Sequence, residues 1–109
     1  MKAIEILNAS VDLISQRGKE RDKENGERSM KRCVESFNAM TGAHLTETDG
    51  WKFMMLLKMA RSESGHFKLD DYLDMTAYAA LAGECESESK LVKVSGYPGR
   101  VDLSTIDLG

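Results

Sequence analysis

The first 97 residues of this chain contain no proline, and its one proline is Pro98. Proline ends or kinks a helix because it lacks the backbone N–H and its ring clashes with the preceding turn, so its absence permits long helices. Apolar residues recur at three- and four-residue spacing through the same region, which is the pattern of helices that bury one face. We therefore predict an all-α fold with a compact four-helix domain.

The first two helices are predicted from their apolar stripes. Helix one should cover 2–16, with Gly18 beyond its end. Its apolar face is formed by Ile4, Leu7, Val11 and Ile14 and is widened by Ala3, Ile6 and Leu13. The charged stretch 19–26 has no apolar residue and is either a loop or a solvated helical extension. Helix two should cover 27–40 and end at Gly42, with Cys33 as a small core residue on its stripe.

Helices three and four form the predicted centre of the domain. Helix three should begin after Thr46, which forms a capping box with Asp49. Residues 51–60 are apolar nearly all round, so we expect helix three to be the most buried. Helix four should run over 69–81, extending at most to Glu84.

The last residues differ from the rest. Residues 86–90 are expected to form a polar linker, while 91–94 and 101–106 alternate like short strands around a turn-rich segment. The predicted division is a helical domain over 1–85 and a C-terminal extended tail over 86–109, either a small β-hairpin or an arm docked on a partner subunit. An isolated hairpin is marginal in water, so an ordered tail needs support.

Composition excludes several classes of protein. The net charge of −3 argues against a dedicated nucleic-acid binder, which usually carries a basic excess. Residues 17–32 carry seven basic and four acidic side chains, and so form either a solvated face or a region that attracts anions. The N-terminus has no signal-peptide pattern, and no apolar run is long enough to span a membrane. The two cysteines lack metal-site spacing. We expect a cytoplasmic protein with reduced thiols.

Three carboxylates at the start of helix four are the first candidate site. Asp70, Asp71 and Asp74 share one edge of that helix, where like charges repel unless a cation offsets them. The cation is either a neighbouring lysine or arginine, in a purely structural network, or a Mg²⁺ ion held by Asp71 and Asp74. Carboxylates in a first helical turn are also favoured by the helix dipole.

Two cations on helix three form the second candidate. Lys58 and Arg61 lie on an otherwise apolar helix, where unpaired buried charge is costly. They either extend to the surface or face the aspartates, because the short connection over 62–68 makes helices three and four antiparallel neighbours. At the start of helix two, Glu27 and Arg28 form a third, weaker candidate with Glu24.

The residues assembled so far resemble a family of small bacteriophage and prophage proteins of uncharacterised function. The resemblance covers residues 3–84. It is carried, in order, by Gly26-Glu-Arg-Ser-Met30, Phe37-Asn38, Thr41-Gly42, Asp49-Gly-Trp51, Phe53-Met54, Leu57-Lys58, Ala60-Arg61, Asp70-Asp-Tyr72 with Asp74, Ala77-Tyr78 and Ala80-Leu-Ala-Gly-Glu84. It implies a phage-encoded protein in the cytoplasm of a bacterial host, with no activity to transfer.

A more remote similarity is to the MazG-like all-α nucleotide pyrophosphohydrolases. Those enzymes hold Mg²⁺ at a triphosphate through E-x-x-E and E-x-x-D pairs on helices. Asp71-x-x-Asp74 resembles the second pair, whereas Glu24-Asn-Gly-Glu27 is interrupted by a turn signal and departs from the first.

Two functions follow as hypotheses. In the first, Arg28, Lys58 and Arg61 hold the phosphate of an anionic ligand such as a nucleotide, while Glu27, Asp70, Asp71 and Asp74 orient them or hold Mg²⁺. In the second, the chain is a non-enzymatic phage protein that binds and inhibits a host or anti-phage defence protein. A closed salt-bridge network with a large apolar patch elsewhere would favour the second. We also expect a homodimer or larger assembly, because helix three, helix four and the tail offer more apolar surface than a 109-residue monomer easily covers.

Overall fold

The computed structural model describes residues 1–21 and 29–90, and within 18–21 it describes the backbone alone. This part of the chain forms four helices and no strand: α1 (Ala3–Arg21), α2 (Ser29–Thr41), α3 (Glu47–Ser62) and α4 (Leu69–Ser89). The all-α, four-helix prediction is confirmed. The predicted tail strands over 91–94 and 101–106 lie outside the described residues. None of the described helices is long and apolar enough to cross a membrane.

The connection between α2 and α3 follows the predicted signals. Gly42 has a φ of 76°, a left-handed conformation that a glycine adopts without steric cost, and it ends α2. The Thr46 hydroxyl accepts a hydrogen bond from the Asp49 backbone N–H, and the Asp49 carboxylate accepts one from that of Thr46. These bonds lower the pKa of Asp49 below its ordinary value. The predicted capping box is therefore confirmed.

The helices form an open series in which α4 lies between α1 and α3, while α2 packs on α3 alone. Trp51 of α3 stacks on Tyr78 of α4, with ring centroids 5.7 Å apart. The prediction that helix three is the most buried is wrong. Most of residues 52–60 are exposed, including Phe53 and Leu56. An apolar helix is buried only where neighbouring helices cover it. Because α4 packs against both α1 and α3, it has more buried residues than α3.

Two helices continue past their predicted ends. The backbone of α1 passes through Gly18 to Arg21, and that of α4 passes through Gly83 to Ser89. A glycine costs a helix interior about 1 kcal/mol relative to alanine, which is too little to end a helix held by its neighbours. The polar linker predicted over 86–90 is thus largely the last turn of α4, and the predicted domain boundary after residue 85 falls inside that helix.

Only one edge of the predicted apolar face of α1, with the half-buried Ile6, Leu13 and Ile14, packs against the rest of the chain. Ser10 is buried and Ile6 half-buried on the packed side, whereas Ile4, Leu7 and Val11 of the predicted stripe are exposed. The helix carries apolar residues on two sides, and their spacing alone does not show which side meets the rest of the chain. Cys33, predicted as a core residue of α2, is exposed, because α2 packs on α3 alone and buries only Val34 of its stripe.

Gly50 sets the distance between α2 and α3. A Cβ atom at this position would overlap the Met30 sulfur and lie 3.0 Å from a Val34 methyl group. Gly83, in the interior of α4, has open space around it. Both alanine variants gain the same helix propensity, so any difference between them reports the crowding at Gly50. We expect Gly50→Ala to be less stable than Gly83→Ala by about 1–3 kcal/mol, the usual cost of overpacking. Urea unfolding of the two variants measures this difference, and equal stabilities would contradict the close approach.

Candidate functional site

Lys58 is the centre of a charged cluster between α3 and α4. It lies one turn before the end of α3 and is 8% exposed. Its Nζ is 2.7 Å from Asp74 Oδ2 and 3.2 Å from Asp70 Oδ2. The hydrogen bond to Asp74 is the main reason that the pKa of Lys58 is raised above its ordinary value of 10.5, against the opposing effect of desolvation. The predicted contact between Lys58 and the aspartates across the α3–α4 hairpin is confirmed.

Asp74 joins the cluster to the first helix. It is 3% exposed, and its Oδ1 lies 3.2 Å from Nη1 of Arg17 on α1. The two groups are close enough for a charge interaction, but they do not form an aligned hydrogen bond, so this fully buried oxygen has no hydrogen-bond partner. Arg17 is not among the site residues predicted from the sequence. Its position seven residues after Ser10, on the packed side of α1, is the signal that could have identified it.

Asp71 lies one turn before Asp74 and is 6% exposed. Its carboxylate has no ion pair or hydrogen bond with any other described residue. Among the residues whose side chains the structure describes, the buried charges of the cluster are therefore two carboxylates, Asp71 and Asp74, and one cation, Lys58. Asp70 and Arg17 are much more exposed and contribute less because water screens them. The buried part of the cluster has an excess of negative charge.

Arg61 does not reach the aspartates. Its side chain is exposed and forms no ion pair within residues 1–21 and 29–90, so its predicted contact is wrong. Lys58 is already level with Asp70 in the first turn of α4. Three residues further along α3 is a rise of about 4.5 Å, which carries Arg61 past the start of the antiparallel neighbour.

The remaining predicted site residues are Glu27 and Arg28, and both lie outside the described residues, as does Glu24. Within the described part, no group of three or more histidine, cysteine, aspartate or glutamate side chains is placed to hold a metal ion. The candidate metal ligands are thus two carboxylates, Asp71 and Asp74. Two carboxylates are enough to bind Mg²⁺ when waters or the phosphates of a ligand complete the coordination of the ion.

A groove of about 350 Å³ lies at the opposite end of α4, beside the start of α3. Its lining includes Glu47, Glu86 and Glu88, together with the Cys85 thiol. Cys85 Sγ donates to Glu47 Oε2 at 3.5 Å, and burial, followed by this carboxylate, raises the pKa of the thiol. A thiol kept protonated is a poor nucleophile, and an acidic lining repels anions. Both features disfavour a reactive thiol and a bound anion in this groove.

The chain matches a family of known sequences. The family described as Domain of unknown function (DUF6378) matches residues 5–86, which is most of the chain and includes all of α2 and α3. The chain belongs to this family. No curated protein and no solved structure matches it.

Proposed function

We propose that this member of the DUF6378 family binds a divalent cation together with a phosphate-bearing small molecule of the nucleotide class at the Lys58 cluster. The observation that supports this most directly is the excess of buried negative charge, since Asp71 and Asp74 share one buried cation. Two neighbouring buried carboxylates repel each other, and Asp74 Oδ1 is buried without a hydrogen-bond partner, so an additional cation there is favourable. A bound metal ion would supply that cation.

The donor set suits magnesium. Mg²⁺ is usually held by one or two carboxylates and completes its coordination with waters and the phosphates of a ligand. Asp71 and Asp74 are three residues apart on α4, so they project from the same side of the helix. Asp71 is free of ion pairs with other described residues, which leaves it available as the first ligand.

The phosphate would be held by cations outside the buried part of the cluster. Lys58 is occupied by Asp70 and Asp74, and so it orients these carboxylates rather than binding the ligand directly. Arg61 is exposed one turn further along α3 and is our candidate for the phosphate contact, together with Arg28 from the sequence analysis. The similarity to MazG-like enzymes makes a nucleoside triphosphate the first compound to test, with pyrophosphate hydrolysis as a subsequent assay.

The test is a thermal-shift and calorimetry series with MgCl₂ alone, a nucleoside triphosphate alone, and both together. We expect the midpoint to rise most with both, because a ligand that binds only the folded state stabilises it. Asp71→Asn should abolish this rise while leaving the metal-free stability equal or higher, since it removes a charge that repels Asp74. Asp12→Asn, an exposed position on α1, is the matched control and should respond like the wild type.

Two results would refute the proposal. One is the absence of any magnesium-dependent shift in the wild type across the common nucleotides. The other is an equal shift in Asp71→Asn, which would place the metal elsewhere.

A second candidate function is binding to a host or defence protein. It is favoured by the exposed apolar face of α3, which presents Phe53, Leu56 and Met59. Large exposed apolar patches often mark protein interaction sites. Leu56→Glu should abolish binding to such a partner and leave the magnesium-dependent thermal shift intact. Asp71→Asn should abolish the thermal shift and leave binding to the partner intact.

A further inference from the structure

The groove between the start of α3 and the end of α4 has a negatively charged lining. Its volume of about 350 Å³ is within the range of small-molecule sites. Glu47 of α3 and Glu86 and Glu88 of α4 contribute carboxylates, and no basic side chain is among its described lining residues. A groove with this charge attracts cations and repels anions.

The end of α4 that borders the groove is itself electronegative. The C-terminus of a helix carries a partial negative charge, which basic residues usually offset. The last turn of α4 has no basic residue and contains Glu86 and Glu88 instead. Lys90, the residue after the helix, pairs with Glu86 at 3.5 Å, but both side chains are half or more exposed, so water screens this pair. An added cation would therefore stabilise this end of α4.

A buried hydroxyl group at the groove has no partner. Thr48 is 5% exposed and is one of the lining residues, and its hydroxyl forms no hydrogen bond with any other described residue. The hydroxyl oxygen is not sealed off, since Asp74 Oδ1 is the one fully enclosed side-chain oxygen or nitrogen without a partner in the described part of the chain. An unpaired hydroxyl in so buried a place is unfavourable. Thr48 therefore offers an unused acceptor to a ligand in the groove.

Glu47 adds a charged acceptor next to Thr48. It is half-buried, and its Oε2 accepts a hydrogen bond from the Cys85 thiol at 3.5 Å. A thiol is a weak donor, whereas a carboxylate has about four lone-pair sites. Most of the accepting capacity of Glu47 is therefore unused by the described residues.

We propose that this groove binds a linear polyamine, a small molecule with two or more ammonium groups. An ammonium group has only donors, so it matches the Thr48 hydroxyl oxygen and the Glu47 carboxylate. A single metal ion fits less well, because within residues 1–21 and 29–90 no three histidine, cysteine or acidic side chains are placed to hold one. A molecule with separated charges can contact Glu47 of α3 and Glu86 of α4 together.

The groove is separate from the Lys58 cluster. At a helical rise of about 1.5 Å per residue, Asp74 and Glu86 are about 18 Å apart along α4. The polyamine proposal therefore does not depend on the proposed magnesium and nucleotide site.

The experiment is isothermal titration calorimetry of the full chain with spermidine at physiological ionic strength. We expect one binding site per chain. Glu47→Gln should weaken binding by about tenfold or more, because a charge-assisted hydrogen bond is lost. Thr48→Val keeps the shape of the side chain and removes the hydroxyl, so it should also weaken binding while the ligand-free stability stays equal or rises. Butylamine, which has a single ammonium group, should bind more weakly than spermidine because it reaches only one carboxylate.

A matched control and three results decide the proposal. Glu63→Gln removes an exposed glutamate after the opposite end of α3 and should bind spermidine like the wild type. The proposal is overturned if the wild type binds no spermidine, or binds butylamine equally well. It is overturned if Glu47→Gln and Thr48→Val bind as tightly as Glu63→Gln, since net charge alone would then attract the amine. A loss of spermidine binding in Asp71→Asn would place the amine at the Lys58 cluster and also overturn it.

Discussion

Replacing Lys58 with methionine is expected to destabilise the chain by about 3–5 kcal/mol, the usual cost of removing one partner from a buried ion pair. Asp74 is 3% exposed, and Lys58 Nζ at 2.7 Å is its closest partner. The remaining cation, Arg17, is 3.2 Å from the other oxygen and is too exposed to compensate fully. Urea unfolding monitored by helix content measures the loss.

Two further variants identify its cause. Lys52→Met removes an exposed lysine from the same helix and should change stability by less than about 0.5 kcal/mol. Lys58→Met combined with Asp74→Leu should recover much of the loss, because a buried pair replaced by apolar residues is often neutral. A single Lys58→Met variant as stable as Lys52→Met would show that the pair contributes nothing to folding.

The pH dependence of the same variant follows from the raised pKa of Lys58. A lysine whose pKa is higher in the folded state stabilises that state fully below its unfolded value, near 10.5, and the contribution disappears as pH rises through the folded value. The wild type and Lys58→Met should therefore differ most at neutral pH and converge above pH 10.5. A constant difference at every pH would mean that the ionised amine is not responsible.

Ala77→Leu is expected to destabilise the chain by about 1–3 kcal/mol or more, because it inserts three carbon atoms into a packed contact. Ala77 is 2% exposed and lies on α4, the helix that packs against both α1 and α3. A larger side chain there must move one of these neighbours, and α1, which contacts α4 alone, is the easier one to displace.

The control is the same substitution two residues further along the helix. Ala79 is exposed, so Ala79→Leu should change stability by less than about 0.5 kcal/mol. The two alanines have the same local helix propensity, and only their neighbours differ. Equal effects would show that α4 is not enclosed between the other helices.

The parts of this structure that sequence reasoning recovered depend on local signals. The capping box at Thr46 and the turn at Gly42 involve residues at most a few positions apart. The meeting of Lys58 with Asp70 and Asp74 is also nearly local, since a short connection forces α3 and α4 side by side. The predicted contact between Arg61 and the aspartates is wrong because Arg61 lies three residues beyond Lys58. Helix boundaries predicted from sequence are accurate only to within a few residues, so they cannot resolve so small an offset.

The features that the sequence did not predict depend on which helices contact each other although they are far apart in the chain. Nothing local shows that Arg17 of α1 reaches Asp74 of α4, or that Asp71 is left without a partner among the described residues. The same limit explains why only one edge of the predicted face of α1 is packed and why the burial of α3 is misplaced. Both helices carry apolar residues on more than one side, so the position of the neighbouring helix determines which of these residues are buried.

The open series of helices has a consequence for how the folded chain fluctuates. Since α1 contacts only α4 and α2 contacts only α3, either outer helix can detach without breaking the other's contacts. The α3–α4 hairpin, joined by the short connection over 63–68 and fastened by Lys58, is then the cooperative unit that opens last. Its contacts are close in sequence, so the entropy of loop closure opposes its formation only weakly. We therefore expect amide protons of the hairpin to exchange with solvent only when the whole chain unfolds, and those of α1 and α2 to exchange through local opening.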